Sequence, residues 1–277
     1  LTLTLVTEAE QQAIWTVFQQ IRCIFKHALL RDAAYQMQFH GRLRTLHTLA
    51  LQAIETLYAG RLEAHYEELA YHAQQAQQTE KQRLYNAMAG KAAQIAYQND
   101  NALTYYTRLL PLLKTPQEIT PYLLRIAEIQ ERIGNSSASA KSYHRAIRLA
   151  RQTNELALLA EGQMKLGHLH YQRGQFDLAR RWLKRARISW ETLQHPTGTC
   201  QTLSYISSTY IRQGRYPLAE KIAKQALNLA EQTQNHSAAA LALKNLGVIA
   251  FYQTRYDIAK EYFQQSLAFY RETDDKP

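Results

Sequence analysis

Between Leu166 and Ala179, apolar and small side chains recur three and four residues apart up to Gly174, where a second pattern of the same kind begins. That spacing gathers them on one face of a helix, and a glycine at its end accepts the positive φ of a tight turn. The pattern therefore predicts two helices joined at Gly174. The plan returns from Ile206 to Ala219 around Gly214, and from Leu246 to Ala259 around Thr254. Gly134, Gly174 and Gly214 stand 40 residues apart, and Ala146, Ala186, Ala226 and Ser266 keep the same step. A fixed period of this length predicts stacked units, each burying its apolar face only when a neighbour covers it. Gly167, Ser207 and Gly247, with Ala179, Ala219 and Ala259, fall where two helices must approach closely.

Residues 1–60 follow other patterns. Leu1, Leu3 and Leu5 alternate with Thr2 and Thr4 as in a short strand. Thr7-Glu8-Ala9-Glu10 has the form of a capping box, predicting a helix through about Gln20. Residues 21–25 read as a second strand and 26–38 as a helix. Gly41 breaks the pattern, and Arg42–Tyr58 is predicted helical with Leu43, Leu46, Leu49, Ala50 and Ile54 on one side. This mixture predicts a small winged-helix-like remnant at residues 1–60.

Leu166-Gly167, Gly174-Gln175-Phe176 and Ala179, with their counterparts Ile206-Ser207, Gly214-Arg215-Tyr216 and Ala219, resemble the tetratricopeptide repeat family, as do Leu246-Gly247, Thr254-Arg255-Tyr256 and Ala259. A first unit at residues 126–146 has Ser136 and Ser139 in place of the aromatic and the small alanine. The family's usual period is about 34 residues, so longer helices and longer links between repeats, as at residues 226–236, are expected to absorb the difference. The resemblance implies an all-α fold: an α-solenoid of helix pairs with four repeats over residues 118–277.

In such arrays the first helix of each pair lines a concave groove. Carried onto this chain, that implies Leu124, Glu128, Glu131 and Arg132, then Met164, His168, Tyr171 and Gln172, then Ser204, Ser208, Ile211 and Arg212, and last Lys244, Val248, Phe251 and Tyr252. Tyr171, Ile211, Arg212, Phe251 and Tyr252 are the expected surface anchors for a protein or peptide ligand. Lys244 and Asn245 match part of the clamp with which chaperone-binding relatives hold a carboxylate, but Val248 replaces its asparagine.

A second resemblance joins Phe25-Lys26-His27-Ala28-Leu29 to Leu46-His47. It is similar to the junction in large bacterial signalling ATPases of the STAND class, including class III adenylate cyclases with a tetratricopeptide tail. It implies irregular helix pairs at residues 61–117, ATPase or cyclase domains of the same polypeptide N-terminal to Leu1, and a nucleotide-sensing role for His27. Leu1 is not an initiator methionine, so the sequence is expected to begin inside a longer polypeptide.

Composition suits this reading. The chain is 46% hydrophobic, with 18 Tyr but 10 Gly and 6 Pro in 277 residues, as long helices require. No apolar run reaches the length of a membrane span. Cys23 and Cys200 are lone thiols, expected to stay reduced in a cytoplasm. Gly90-Lys91 is followed by Ala92, and Tyr85 stands where a phosphate-binding loop needs its first glycine. His168 and His170, two apart on a helix, point in different directions and cannot chelate one ion. No catalytic residue, metal or cofactor is expected in this chain.

Charge opens an alternative. The net is +10, and 22 basic against 14 acidic residues lie from Glu118 onward. Arg180, Arg181, Lys184 and Arg187 form the densest basic stripe, a surface for nucleic acid or an acidic partner, although no base-reading motif accompanies it. Two readings result: a partner-sensing arm of a signalling ATPase or cyclase, or a stand-alone scaffold or basic nucleic-acid-binding repeat protein.

Overall fold

A computed structural model describes residues 15–18, 22–25, 35 and 39–272. The chain divides into two compact units, residues 1–92 and 93–277.

In the first unit, β1 (Trp15–Phe18) pairs antiparallel with β2 (Arg22–Phe25), Trp15 opposite Phe25 and Phe18 opposite Arg22. Over Trp15–Phe18 a strand stands in place of the helix expected to run through Gln20, because Trp-Thr-Val-Phe is a run of aromatic and β-branched residues that fits a pleat better than a helix; the rest of that expected helix lies outside the described residues. The strand expected at 21–25 is present. Those expected at Leu1–Leu5 and the helix at 26–38 lie outside the described residues, apart from Tyr35, as does His27.

Helix α1 (His40–Leu57) precedes a short 3-10 turn and α2 (Tyr66–Gln75). Gly41 lies inside α1, and its buried side is centred on His47 and Leu51, leaving Leu46 and Leu49 exposed. His47 meets His72 through their Nδ1 atoms at 2.8 Å, and Tyr35 reaches its other ring nitrogen. Burial lowers the pKa of both imidazoles, and for His72 the nearby His47 adds to the effect. Most of α3 (Thr79–Ile95) also belongs to this unit.

The second unit continues with α4 (Asn99–Leu109) and a 3-10 turn, then eight helices of 17 residues each. These are α5 (Pro116–Arg132), α6 (Ser136–Gln152), α7 (Leu156–Gln172) and α8 (Phe176–Thr192), followed by α9 (Pro196–Arg212), α10 (Tyr216–Gln232), α11 (His236–Tyr252) and α12 (Tyr256–Glu272). Each begins 20 residues after the last, so the 40-residue period is two equal halves. The links between repeats are as short as those within them, three residues; the whole excess over the shorter family period resides in the helices.

One hydrogen-bonding device closes all seven links. After α5, Asn135 N–H reaches Gln130 O at 2.8 Å and Gly134 N–H reaches Glu131 O at 3.0 Å, the paired bonds of a Schellman turn, which need a left-handed residue at its centre. Gly134, Gly174 and Gly214 supply it within pairs, whereas Asn154, Gln194 and Gln234 supply it between pairs at φ of 56°, 51° and 50°. Helix starts are set locally as well. Thr115 and Glu118 form a capping box, Asn135 and Asn235 cap α6 and α11, and Pro116 and Pro196 occupy first positions where no N–H is missed.

Thr254 holds the fourth of the within-pair turns at φ 61°. A left-handed backbone costs an ordinary L residue about 1–2 kcal/mol, partly offset by the greater unfolded freedom of glycine. Thr254→Gly is expected to stabilise the protein by about 0.5–1 kcal/mol, seen as a raised urea midpoint; a lowered midpoint would contradict it.

Packing between helices depends on small side chains. A Cβ on Gly167 would lie 2.7 Å from Leu183 Cγ and 3.2 Å from the Ala179 carbonyl, and one on Gly247 would lie 2.7 Å from the Phe263 ring. Ser207 donates to the Ala219 carbonyl at 2.9 Å. These are the close approaches expected from the sequence. Gly198, which the period did not single out, is filled by the face of Trp190.

Candidate functional site

Successive helices pack pairwise through the second unit, and the first helices of adjacent pairs, α5, α7, α9 and α11, also meet one another. Second helices approach one another less closely, so the first helices form the inner, concave side. Three rows of side chains line it. Glu128, His168, Ser208 and Val248 are half-buried along its floor; Arg132, Gln172, Arg212 and Tyr252 are exposed beside them; and Glu161, Gln201 and Leu241 complete the opposite edge.

The α5–α7 end is polar and cross-linked. Lys165 pairs with Glu128 and lies 3.9 Å from Glu161. His168 faces Glu131 at 3.5 Å, and Glu131 accepts from the Tyr143 hydroxyl at 3.2 Å. Tyr205 closes over His168 with ring centres 4.7 Å apart. Except for Glu161, these groups bound a hollow of about 460 Å³ that also includes Arg132, Met164, Gln172 and Gln201. Burial raises the pKa of Glu161 despite Lys165, and it raises those of Tyr205 and Tyr143. Lys165 and Glu128 are thus paired with each other, and Glu131 is held by the Tyr143 hydroxyl.

Toward α11 the lining turns apolar. Ser208 donates to the Ser204 carbonyl at 3.0 Å and Asn245 Nδ2 donates to the same oxygen at 2.8 Å, tying α9 to α11. This commits Asn245, 4% exposed, to packing. Beyond it lie Leu241, Val248 and Tyr252, the last stacked on Tyr216 at 5.7 Å. Arg212, exposed next to them, has no acidic partner among the described residues.

Of the residues expected to line the groove, His168, Gln172, Ser208, Arg212, Val248 and Tyr252 do so. Glu128, Glu131, Arg132 and the largely buried Met164 line the hollow at the α5–α7 end, whereas Leu124, Ser204 and Ile211 are buried against neighbouring helices. Ile211 packs against Leu246 and Ile249 in the core, and Tyr171 packs near Phe176. Lys244 is exposed on the same row in the last pair. Phe251, 53% exposed, turns to a hollow of about 500 Å³ with Tyr256, Phe263 and Leu267, at the end of the array. The expected ladder thus divides: Ile211 is buried, Tyr171 half-buried beside Phe176, and Phe251 exposed. Lys165, Gln201 and Tyr205 line the hollow without having been expected, because helical spacing alone does not fix the width of the exposed face.

The basic stripe also divides. Arg180 is 9% exposed: its guanidinium pairs with Asp177, donates to Gln213 at 2.7 Å and covers the Tyr210 ring at 4.7 Å. Arg187 pairs with Glu191. Arg181 and Lys184 remain exposed without acidic partners among the described residues. His168 and His170 separate as their spacing requires, His168 into the groove and His170 buried against Gln175 at 2.7 Å. Burial raises the pKa of the Cys200 thiol to about 11, leaving it protonated and inert. Among the described residues no helix is long and apolar enough to cross a membrane, and no group of three or more His, Cys, Asp or Glu is placed to hold a metal ion.

Tetratricopeptide repeat models match residues 159–193 and 198–272. These helix pairs are tetratricopeptide repeats. No curated protein matches the chain in sequence. Among solved structures, the repeat fold is shared with a signal transduction ATPase with numerous domains that has a tetratricopeptide repeat sensor, from Pyrococcus horikoshii. That match has TM-score 0.66 and 17% identity, over 88% of this chain and 39% of that one. RapI in its apo form matches with TM-score 0.66 and 16% identity, over 90% of this chain and 71% of that one. A Rap protein complexed with competence and sporulation factor matches with TM-score 0.62 and 14% identity, over 89% and 71%. At these identities the likeness is one of fold.

Proposed function

We propose that the repeat groove binds an extended or helical segment of a protein partner, with an apolar side chain against Leu241, Val248 and Tyr252 and a carboxylate on Arg212. The observation that carries this reading is the gradient along the lining: the α5–α7 end is polar, with Lys165 and Glu128 paired to each other, while the α9–α11 end offers apolar surface beside the unpaired guanidinium of Arg212. An aromatic ring and an arginine are the groups that contribute most to protein interfaces. The Rap protein's complex with competence and sporulation factor supports a ligand of this class on this scaffold.

The groove is further proposed to be the sensing arm of a larger signalling ATPase or cyclase, its occupancy altering the nucleotide state of domains in the same polypeptide. The sequence around Phe25 and His27 and the fold shared with an ATPase's repeat sensor support this role.

Selection of displayed peptides on the full chain tests the groove. Enriched peptides are expected to combine an apolar residue with a nearby Asp or Glu, and Tyr252→Ala or Arg212→Ala is expected to weaken them about tenfold each, some 1.4 kcal/mol, with unchanged thermal melting. Peptides insensitive to both substitutions would refute the assignment.

A further inference from the structure

The outer face of the second helices carries a different chemistry from the groove. On α6 it presents Lys141, Arg145 and Arg148, and on α8 it presents Arg181, Lys184 and Arg185, all exposed. On α10 the places of Arg145 and Arg148 are taken by Gln225 and Asn228, and on α12 those of Lys141 and Arg145 by Glu261 and Gln265. Lys221 and Lys224 of α10 keep two of the cationic places, Lys224 paired with Glu220, so the positive surface is densest on α6 and α8. There it is also uncompensated: α6 contains no Asp or Glu, and both acids of α8 are engaged, Asp177 by Arg180 and Glu191 by Arg187. None of the six exposed cations has an acidic partner among the described residues.

The two helices form one continuous surface. His144 of α6 and Trp182 of α8 touch edge to face with ring centres 5.4 Å apart, and Arg185 lies over the Trp182 ring at 4.8 Å. Among these cations stands Ile188, at the position of Arg148 one repeat later, with 64% of its surface exposed. An apolar side chain set within a positive field favours one class of ligand. A phosphodiester backbone gains nothing from Ile188, and the ring on which a base would stack is already covered by Arg185. Carboxylates satisfy the guanidinium forks in bidentate pairs, and a neighbouring aliphatic side chain removes Ile188 from water.

We propose that the outer face of α6 and α8 docks an acidic protein segment that carries an apolar side chain among its carboxylates. This surface is separate from the groove, and its occupant does not depend on what the groove binds.

The test is fluorescence anisotropy of the full chain with three labelled probes of about equal length: an Asp/Glu-rich peptide containing leucines, the same peptide with serines for leucines, and a single-stranded oligonucleotide. The leucine peptide is expected to bind tightest, weakening steeply with salt. Arg181→Glu with Arg185→Glu is expected to reduce its affinity at least about tenfold, and Ile188→Ser about threefold, while circular dichroism melts report the fold. If Arg185→Glu disturbs Trp182 and lowers the melt, Arg145→Glu with Arg148→Glu serves instead, with the same expected loss. Failure of the leucine peptide to bind, affinity unmoved by these charge reversals, or an oligonucleotide bound as tightly as the peptide with Ile188→Ser without effect would each overturn the proposal.

Discussion

Gly167→Leu is expected to destabilise the second unit by about 3 kcal/mol, at the upper end of the cost of overpacking a core. The position is closed on every side that a larger residue needs. Even a bare Cβ would come within 2.9 Å of two Leu183 atoms, and the Ala179 carbonyl, 3.2 Å away, is backbone and cannot rotate aside. Relief requires parting α7 from α8, which would open the cluster of Ala160, Met164, Leu183 and Ala186. Gly167→Ala should fall between the wild type and leucine, since helix propensity favours alanine by about 1 kcal/mol against the clash. Urea unfolding followed by circular dichroism measures both; a leucine variant with an unchanged midpoint would mean that the helices have slack the geometry does not show.

Arg180→Ala is expected to cost about 2–3 kcal/mol. Its hydrogen bond to Gln213 is charge-assisted, of a class worth about 1.5–3 kcal/mol when partly buried, and its stacking on Tyr210 adds about 0.5–1 kcal/mol. The ion pair with Asp177 contributes little, because that carboxylate is 83% exposed. The expected loss also has a location. Arg180 belongs to α8, whereas Gln213 and Tyr210 belong to the end of α9, so the substitution weakens the joint between two repeats. In a solenoid, stability is a sum of repeat terms and neighbour terms, and the unfolding transition should broaden as well as shift. Arg180→Lys, which keeps the charge but loses the planar fork, should recover less than half of the loss. A sharp transition with an unaltered midpoint in the alanine variant would show that the side chain is only accommodated there.

The period, the helix pairs and the close approaches at Gly167, Ser207 and Gly247 were legible because each is written in residue type. The links between repeats were not, since Asn154, Gln194 and Gln234 take the left-handed conformation without the glycine that announces it. The groove was legible in part. Helical spacing alone cannot distinguish a side chain facing the groove from one facing the next helix, and the placement of Leu124 and Ile211 in the core reflects that ambiguity. The basic stripe failed in the same way at Arg180, whose long stem and planar head suit burial once Gln213 and Tyr210, more than 29 residues away, are brought beside it. The hairpin at Trp15–Phe18 was lost to a capping-box motif just upstream, where a local signal was extended beyond its reach.

The uniform step of 17 helical and three linking residues limits how this chain can change in length. With every link filled by a closed turn, there is no slack loop to accept an extra residue. A single insertion within a helix rotates everything after it by about 100° relative to what precedes it, exchanging buried for exposed faces in all later pairs. Only a block of 40 residues returns each helix to its orientation and each first helix to the concave side. Such a chain is edited in whole repeats, and its binding surface lengthens or shortens one rung at a time.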